Sequence, residues 1–170
     1  MRIDTTTDLK GLRLLLGLSP SDAAALIGES KDWLVDAERG RSWSISPKYR
    51  DVLLSFGEAA ADLAETIFAS SDAFVIVYPN DDVYRDREPL WSRRLPTAGM
   101  HLHACMRAKA ALEEGFCSRR DPPTVTLVTL FPRSLEEYLA HTGQADSPDV
   151  RQAWAAAYVK NYRVMEAKDA

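Results

Sequence analysis

The segment 17–40 carries the most closely spaced helix boundaries in the chain, and it constrains the fold more than any other segment. Ser19-Pro20 combines a helix cap with a proline at the first helical position, and Ser30 offers a second cap shortly afterwards. A glycine follows each apolar helical repeat, as is typical of helix ends. The pattern predicts three short helices joined by tight turns, at 8–16, 20–27 and 31–39.

The remainder of the chain mixes helical repeats with two runs of β-branched and aromatic residues. These runs, 74–78 and 124–131, predict strands, and each ends at a proline. Further helices are predicted from residue 47 to 69, at 100–114, at 134–140 and from residue 148 onward. We therefore expect a mainly helical α+β protein with a helical domain at 1–70 and a small α/β domain at 71–170.

The second of these domains carries a weak internal similarity at an offset of 53 residues. Tyr78-Pro79 aligns with Phe131-Pro132, which predicts two strand-helix-helix repeats over 74–115 and 125–166. Two unrelated β-α units in one α/β domain are the alternative interpretation.

Charge and composition exclude several classes of protein. The 170 residues carry a formal net charge of −4, which argues against nonspecific binding to polyanions, although the first 50 residues are nearly neutral. No apolar run has the length of a membrane span, and Met1–Thr5 lacks the apolar core of a signal peptide. We expect a cytoplasmic protein with no membrane partner.

Cys105 and Cys117 are expected to be reduced and buried rather than part of a zinc cluster or a disulfide framework.

One local cluster contains residue types that could bind a metal. It comprises His101, His103 and Cys105, of which His101 and Cys105 share a helical face while His103 points elsewhere. No third ligand is evident, because His141 is remote in sequence. No phosphate-binding glycine loop, nucleophile elbow or paired carboxylate motif is present either. We expect no metal, no cofactor and no catalytic residue.

Residues 18–40 resemble, without a gap, the helix-turn-helix core of lambda-repressor-like (Xre-type) DNA-binding proteins. Ala24 occupies a close helix crossing, Gly28 occupies the turn, and Leu34 and Ala37 face the core. Glu38-Arg39-Gly40 is similar to the usual end of the third helix in that family. The resemblance implies an N-terminal domain of four to five helices that binds DNA.

The C-terminal part resembles one branch of that family. Thr126–Tyr138 and Trp154–Tyr162 are similar to the strand-helix-helix of YdiL-like proteins and of phage anti-CRISPR-associated autorepressors, in which this module dimerises the protein. The resemblance implies a homodimeric repressor that binds a palindromic operator, controlling its own operon in a phage, a mobile element or a bacterial stress locus. The expected dimerisation residues are Val75, Val77, Leu127, Leu130, Trp154 and Tyr158.

The third helix of such a domain lies in the major groove of double-stranded DNA, which implies a set of contacts for this chain. The expected base-reading residues are Lys31, Asp32, Trp33 and Asp36. The expected phosphate-binding residues are Ser30, Arg39, Arg41, Ser42 and Lys48, and RNA binding through the same basic edge is a second activity that this set would allow.

The chain departs from the family pattern at three positions. Asp32 and Asp36 place acids at the groove face, and Pro20 replaces the glutamine that is often seen at the start of the second helix. They leave open an alternative function, a protein-interaction module such as an antitoxin or adaptor with a degenerate helix-turn-helix.

Overall fold

The computed structural model describes residues 5–41, 47–70, 74–115 and 124–166, with the backbone alone for 162–166. Within these ranges the chain is mainly helical and contains a two-stranded parallel sheet, which confirms the predicted α+β class. The elements in order are α1 (Thr6–Leu15), α2 (Pro20–Ile27), α3 (Lys31–Glu38), α4 (Pro47–Ala69), β1 (Phe74–Val77), α5 (Asp81–Arg87), α6 (Pro89–Ser92), α7 (Ala98–Glu113), β2 (Thr126–Thr129), α8 (Pro132–Thr142) and α9 (Pro148–Glu166).

Local capping groups set the boundaries of the first three helices. The hydroxyl of Ser19 accepts a hydrogen bond from the amide of Asp22, and the hydroxyl of Ser30 accepts one from the amide of Trp33. Gly28 ends α2 with a φ of 76°, in the left-handed region that glycine adopts without steric cost. The predicted bounds of α2 are therefore confirmed, and α3 ends one residue earlier than predicted.

The two strands pair with each other inside the chain. Phe74 is opposite Thr126 and Val77 is opposite Thr129, in parallel register. Alternate residues face opposite sides, so Val77 joins the buried cluster around α4 and α7, whereas Val128 joins the cluster around α8 and α9. Helices thus cover both faces of the sheet, as a parallel sheet requires.

The first four helices and the sheet region share buried side chains. α4 packs along α7, and one cluster contains Leu12 from α1, Leu53 and Leu63 from α4 and Ala104 from α7. A Cβ on Gly57 of α4 would lie 3.3 Å from a methyl of Leu12, so the two helices approach closely there. This cluster contains side chains from both sides of residue 70, so the division into domains 1–70 and 71–170 stays a prediction.

The order of strand, short helical segment and long helix occurs twice, as β1-α5-α6-α7 and as β2-α8-α9. This order agrees with the proposed repeats, while the duplication itself stays a prediction. Among the described helices, none combines the length and the apolar character needed to cross a membrane. Cys105 is buried as a free thiol, and Cys117 lies outside the described residues.

Candidate nucleic-acid interface

α3 presents one polar face outward and one apolar face inward. Leu34 and Ala37 are buried, whereas Lys31, Asp32 and Asp36 are exposed. α2 packs against α3 across the three-residue connection 28–30, and the buried side of both helices joins the core that contains α1 and α4. Three of the four residues predicted to read bases therefore lie together on an accessible helical face.

Trp33, the fourth residue of that set, has a divided environment. Its ring stands edge-on to Tyr49 of α4, with 6.1 Å between the ring centroids and an interplanar angle of 80°. The side chain is half-buried and packs against the core cluster. Only part of the indole is therefore available to a ligand, and the rest helps to seat α3 on α4.

A buried ion pair joins the end of α1 to the end of α3. Nε of Arg13 donates to Oε1 of Glu38 at 2.6 Å, and its Nη2 donates to Oε2 at 2.9 Å, with side-chain exposures of only 5% and 6%. Nη1 of Arg13 also donates to the carbonyl of Leu18 at 2.5 Å, and the hydroxyl of Tyr49 lies 3.5 Å from Oε1 of Glu38. Three helices, α1, α3 and α4, therefore meet at one carboxylate, which fixes where α3 lies.

Both neighbours of Glu38 are held in their ordinary charge states. The hydrogen bond that Arg13 donates to Glu38 raises the pKa of Arg13 against the opposing effect of burial, so the guanidinium stays charged. Burial, followed by the charge of Glu38, raises the pKa of Tyr49, so its hydroxyl stays protonated. The sequence does not predict this network, because Arg13 and Glu38 are 25 residues apart and nothing local to either residue indicates its partner.

The residues predicted to bind phosphate differ in their availability. Arg39 and Lys48 are exposed, and a Cβ on Gly28 would lie 3.9 Å from Nζ of Lys48, which puts that ammonium beside the turn. The hydroxyl of Ser30 already accepts the capping hydrogen bond of α3. Nη1 of Arg41 lies 3.2 Å from Oδ1 of Asp36, so these two exposed charges pair with each other. Ser42 lies outside the described residues.

The residues predicted to dimerise the protein are distributed over both sides of the sheet. Val77, Leu130 and Trp154 are 5%, 0% and 2% exposed within a single chain, so they have almost no surface to offer a second copy. Val75, Leu127 and Tyr158 are half-buried and retain some accessible surface. For those three residues, a role in dimerisation stays a prediction.

The region predicted to lack a metal site keeps His101 and Cys105 on one face of α7, with 3.8 Å between Nδ1 and Sγ. Among the described residues, no group of three or more potential ligands comes together.

A scan against protein-family models finds no match for this chain, and a search of curated proteins finds none either.

Proposed function

We propose that the protein is a sequence-specific DNA-binding transcriptional regulator, a homodimeric repressor of its own operon that binds a palindromic operator. The observation that carries this proposal is the outward face of α3, where Lys31, Asp32 and Asp36 are exposed at the start of a short helix. A helix of this kind fits the major groove, where its N-terminal side chains reach the base edges.

The chemistry of this face suits direct readout. The ammonium of Lys31 would donate to N7 or O6 of guanine, and the carboxylates of Asp32 and Asp36 would accept from the amino group of cytosine. The accessible part of Trp33 would contact a thymine methyl group. The buried pair of Arg13 and Glu38 supports this role because it holds α3 in one orientation before any DNA is bound.

Phosphate contacts would come from the cations that flank α3. Neither Arg39 nor Lys48 forms an ion pair within the described part of the chain, and both side chains are exposed. Arg41 would exchange its exposed contact with Asp36 for a phosphate. That exchange costs little, because exposed ion pairs contribute less than about 1 kcal/mol. It would also free Asp36 to accept from a base.

A homodimer is part of the proposal because one such helix reads only a few base pairs, so useful specificity needs two copies on a palindrome. Sedimentation of the full chain at two concentrations measures its mass directly. We expect twice the mass of one chain at the higher concentration.

The proposal is tested by gel shift on DNA from upstream of the protein's own gene. The double variant Lys31→Ala/Arg39→Ala should weaken binding at least about tenfold, because it removes one base contact and one phosphate contact. The matched control is Arg133→Ala/Lys160→Ala, which removes two exposed positive charges from α8 and α9. We expect that control to bind within about twofold of the wild type.

A second candidate function, docking of a protein partner by the same face, is favoured by the two exposed carboxylates of α3. Salt separates the two functions, because each phosphate contact releases counterions. With Arg39, Arg41 and Lys48 of each of two copies on phosphates, raising the salt from about 50 to about 200 mM should weaken DNA binding about a thousandfold. A folded wild type that shifts no upstream fragment at the lower salt would contradict the DNA-binding proposal.

A further inference from the structure

A cavity of about 160 Å³ lies far from the face of α3, where the last turns of α4 meet β1, α6 and the start of α9. Its apolar lining includes Leu63 and Ile67 of α4, Phe74 of β1 and Trp91 of α6. Two aromatic rings and two aliphatic side chains thus provide surfaces against which a flat ring can pack.

The polar side of the cavity is built around Glu88. Oε1 of Glu88 accepts from the hydroxyl of Tyr78 at 2.7 Å and from Nη1 of Arg151 at 3.3 Å. Arg151, 8% exposed, also donates from Nη1 to the carbonyl of Arg87 at 2.9 Å and from Nε to Asp146 at 2.7 Å. Arg87 forms a further ion pair with Asp146. Apart from the exposed carboxylate of Asp86, which also pairs with Arg87, the formal charges of the two arginines and the two carboxylates cancel.

Several polar groups at the cavity keep hydrogen-bonding capacity. His101 lines the cavity and is 4% exposed. Within the described part of the chain, its ring nitrogens have a polar contact with the sulfur of Cys105, which lies 3.8 Å from Nδ1 and 3.9 Å from Nε2. Nε2 of Gln152 donates to the carbonyl of Phe74 at 2.8 Å, while its amide oxygen makes no hydrogen bond within the described part of the chain. Behind His101, the buried hydroxyl of Tyr84 has no hydrogen-bond partner among the described residues.

We propose that this cavity is a binding site for an uncharged six-membered nitrogen heterocycle that carries hydrogen-bond donors, such as an aminopyrimidine. The spare groups are mainly acceptors, namely Oε2 of Glu88 and the amide oxygen of Gln152, together with a ring nitrogen of His101. Donor N–H groups on a flat ring would satisfy them while the ring packs against Trp91.

Charge excludes the neighbouring ligand classes. An anion would need a free cation, but Arg151 hydrogen-bonds through all three of its nitrogens. A cation would need an uncompensated carboxylate, but Glu88 is paired with Arg151. His101 adds no charge, because burial lowers its pKa to about 4. The volume agrees as well, since a cavity of about 150 Å³ is known to hold benzene.

The experiment titrates the full chain with cytosine and follows the indole N–H signal of Trp91 by two-dimensional NMR. We expect saturable shifts with a Kd on the order of 0.1 mM, as befits so small a ligand. Benzoate, of similar size but anionic, and benzylamine, of similar size but cationic, should each bind at least about tenfold more weakly. These titrations need only the wild-type protein.

A pair of variants tests the location. Thr66→Phe adds a ring at an exposed position that lines the cavity, and it should reduce cytosine affinity at least about tenfold. Ala69→Phe adds the same ring to an exposed position of α4 outside the lining, and it should bind as the wild type does. The proposal is overturned if cytosine does not bind up to about 5 mM, if benzoate or benzylamine binds equally well, or if both variants lose affinity alike.

Discussion

The two ends of the molecule each contain a buried arginine that donates to a carboxylate and to a backbone carbonyl, with a tyrosine hydroxyl directed at that carboxylate, but the two networks differ in how completely they are closed. At the base of α3, Arg13 and Glu38 are 5% and 6% exposed in their side chains. At the sheet, the side chain of Arg151 is 10% exposed, but the side chains of its partners Asp146 and Glu88 are 17% and 29% exposed. The first network is sealed on all sides, and the second opens into a cavity.

This difference separates two uses of the same chemistry. In the sealed pair both carboxylate oxygens of Glu38 already accept from Arg13, and the pair holds α1, α3 and α4 in one arrangement. An open network keeps lone pairs that a ligand can use. Buried polar groups are costly unless they are satisfied, so the open network offers a gain to any molecule that completes it.

The largest effect is expected from breaking the sealed pair. Arg13→Met keeps most of the side-chain volume but leaves the carboxylate of Glu38 buried without a counter-charge, which should lower the free energy of unfolding by about 3–5 kcal/mol. Urea denaturation followed by circular dichroism measures the loss. Arg41→Met serves as the control, because it breaks an exposed pair with Asp36 and should cost less than about 1 kcal/mol. Equal losses of unfolding free energy in the two variants would show that the buried pair contributes no more to stability than the exposed pair.

The matching change in the open network should cost less. Arg151→Met removes the guanidinium from Asp146 and Glu88, but these side chains are 17% and 29% exposed and keep some contact with water, so we expect a loss of about 2–3 kcal/mol by the same measurement. Arg133→Met, which breaks an exposed pair on α8, is the control. If Arg151→Met proved more damaging than Arg13→Met, the distinction between sealed and open networks would be wrong.

A third prediction concerns the contact between the two ends of the molecule. Gly17 has a φ of 69°, and a Cβ there would lie 2.3 Å from the imidazole of His103 on α7. Gly17→Ala should therefore cost about 2 kcal/mol, half from the left-handed backbone and half from displacing the ring. Gly143→Ala, with a φ of 68° and open space around it, should cost only about 1 kcal/mol. In the double variant Gly17→Ala/His103→Ala, the added loss relative to His103→Ala alone should fall to the value for Gly143→Ala.

The smallest effect is a pH dependence specific to the open network. Burial lowers the pKa of His101 to about 4, so the unfolded chain binds a proton near pH 6.5 while the folded chain does not. The contribution of neutral His101 to the free energy of unfolding is fully present above about pH 6.5 and is lost as the pH falls towards about 4. Between about pH 7 and about pH 5.5 we expect a loss of about 1 kcal/mol.

The variant His101→Leu should lack this part of the pH dependence, whatever its stability at pH 7. Asp146 does not contribute within this window. Burial opposes its ionisation, but the hydrogen bonds that it accepts from Arg151 and Arg87 lower its pKa below the ordinary value of an aspartate. An identical slope in the variant and the wild type would assign the effect to other groups.

The sequence predicted those features that neighbouring residues determine. A serine cap and a proline mark the start of α2, and a left-handed Gly28 marks its end, so its bounds follow from three or four local interactions. The two strands were evident for the same reason, because Val75-Ile76-Val77 and Leu127-Val128 are short β-branched or aliphatic runs bounded by prolines and polar residues.

What the sequence did not predict depends on contacts between distant residues. Arg151 and Glu88 are 63 residues apart, and neither differs by local pattern from the exposed charges around it. The cavity likewise depends on how α4, β1 and α9 come together. The burial of Trp154 shows the same limit, because an aromatic stripe on α9 indicates an apolar face but not whether this chain or a second copy covers it.

α4 has one further consequence. It runs without interruption for 23 residues, from the helix end beside Tyr49 and the edge of Trp33 to the wall of the cavity at Ile67. At about 1.5 Å per residue, exposed positions 48 and 69 are about 30 Å apart. Labels at these two positions would therefore provide an internal reference distance. Any distance change that a third label reports against both of them belongs to another element of the protein.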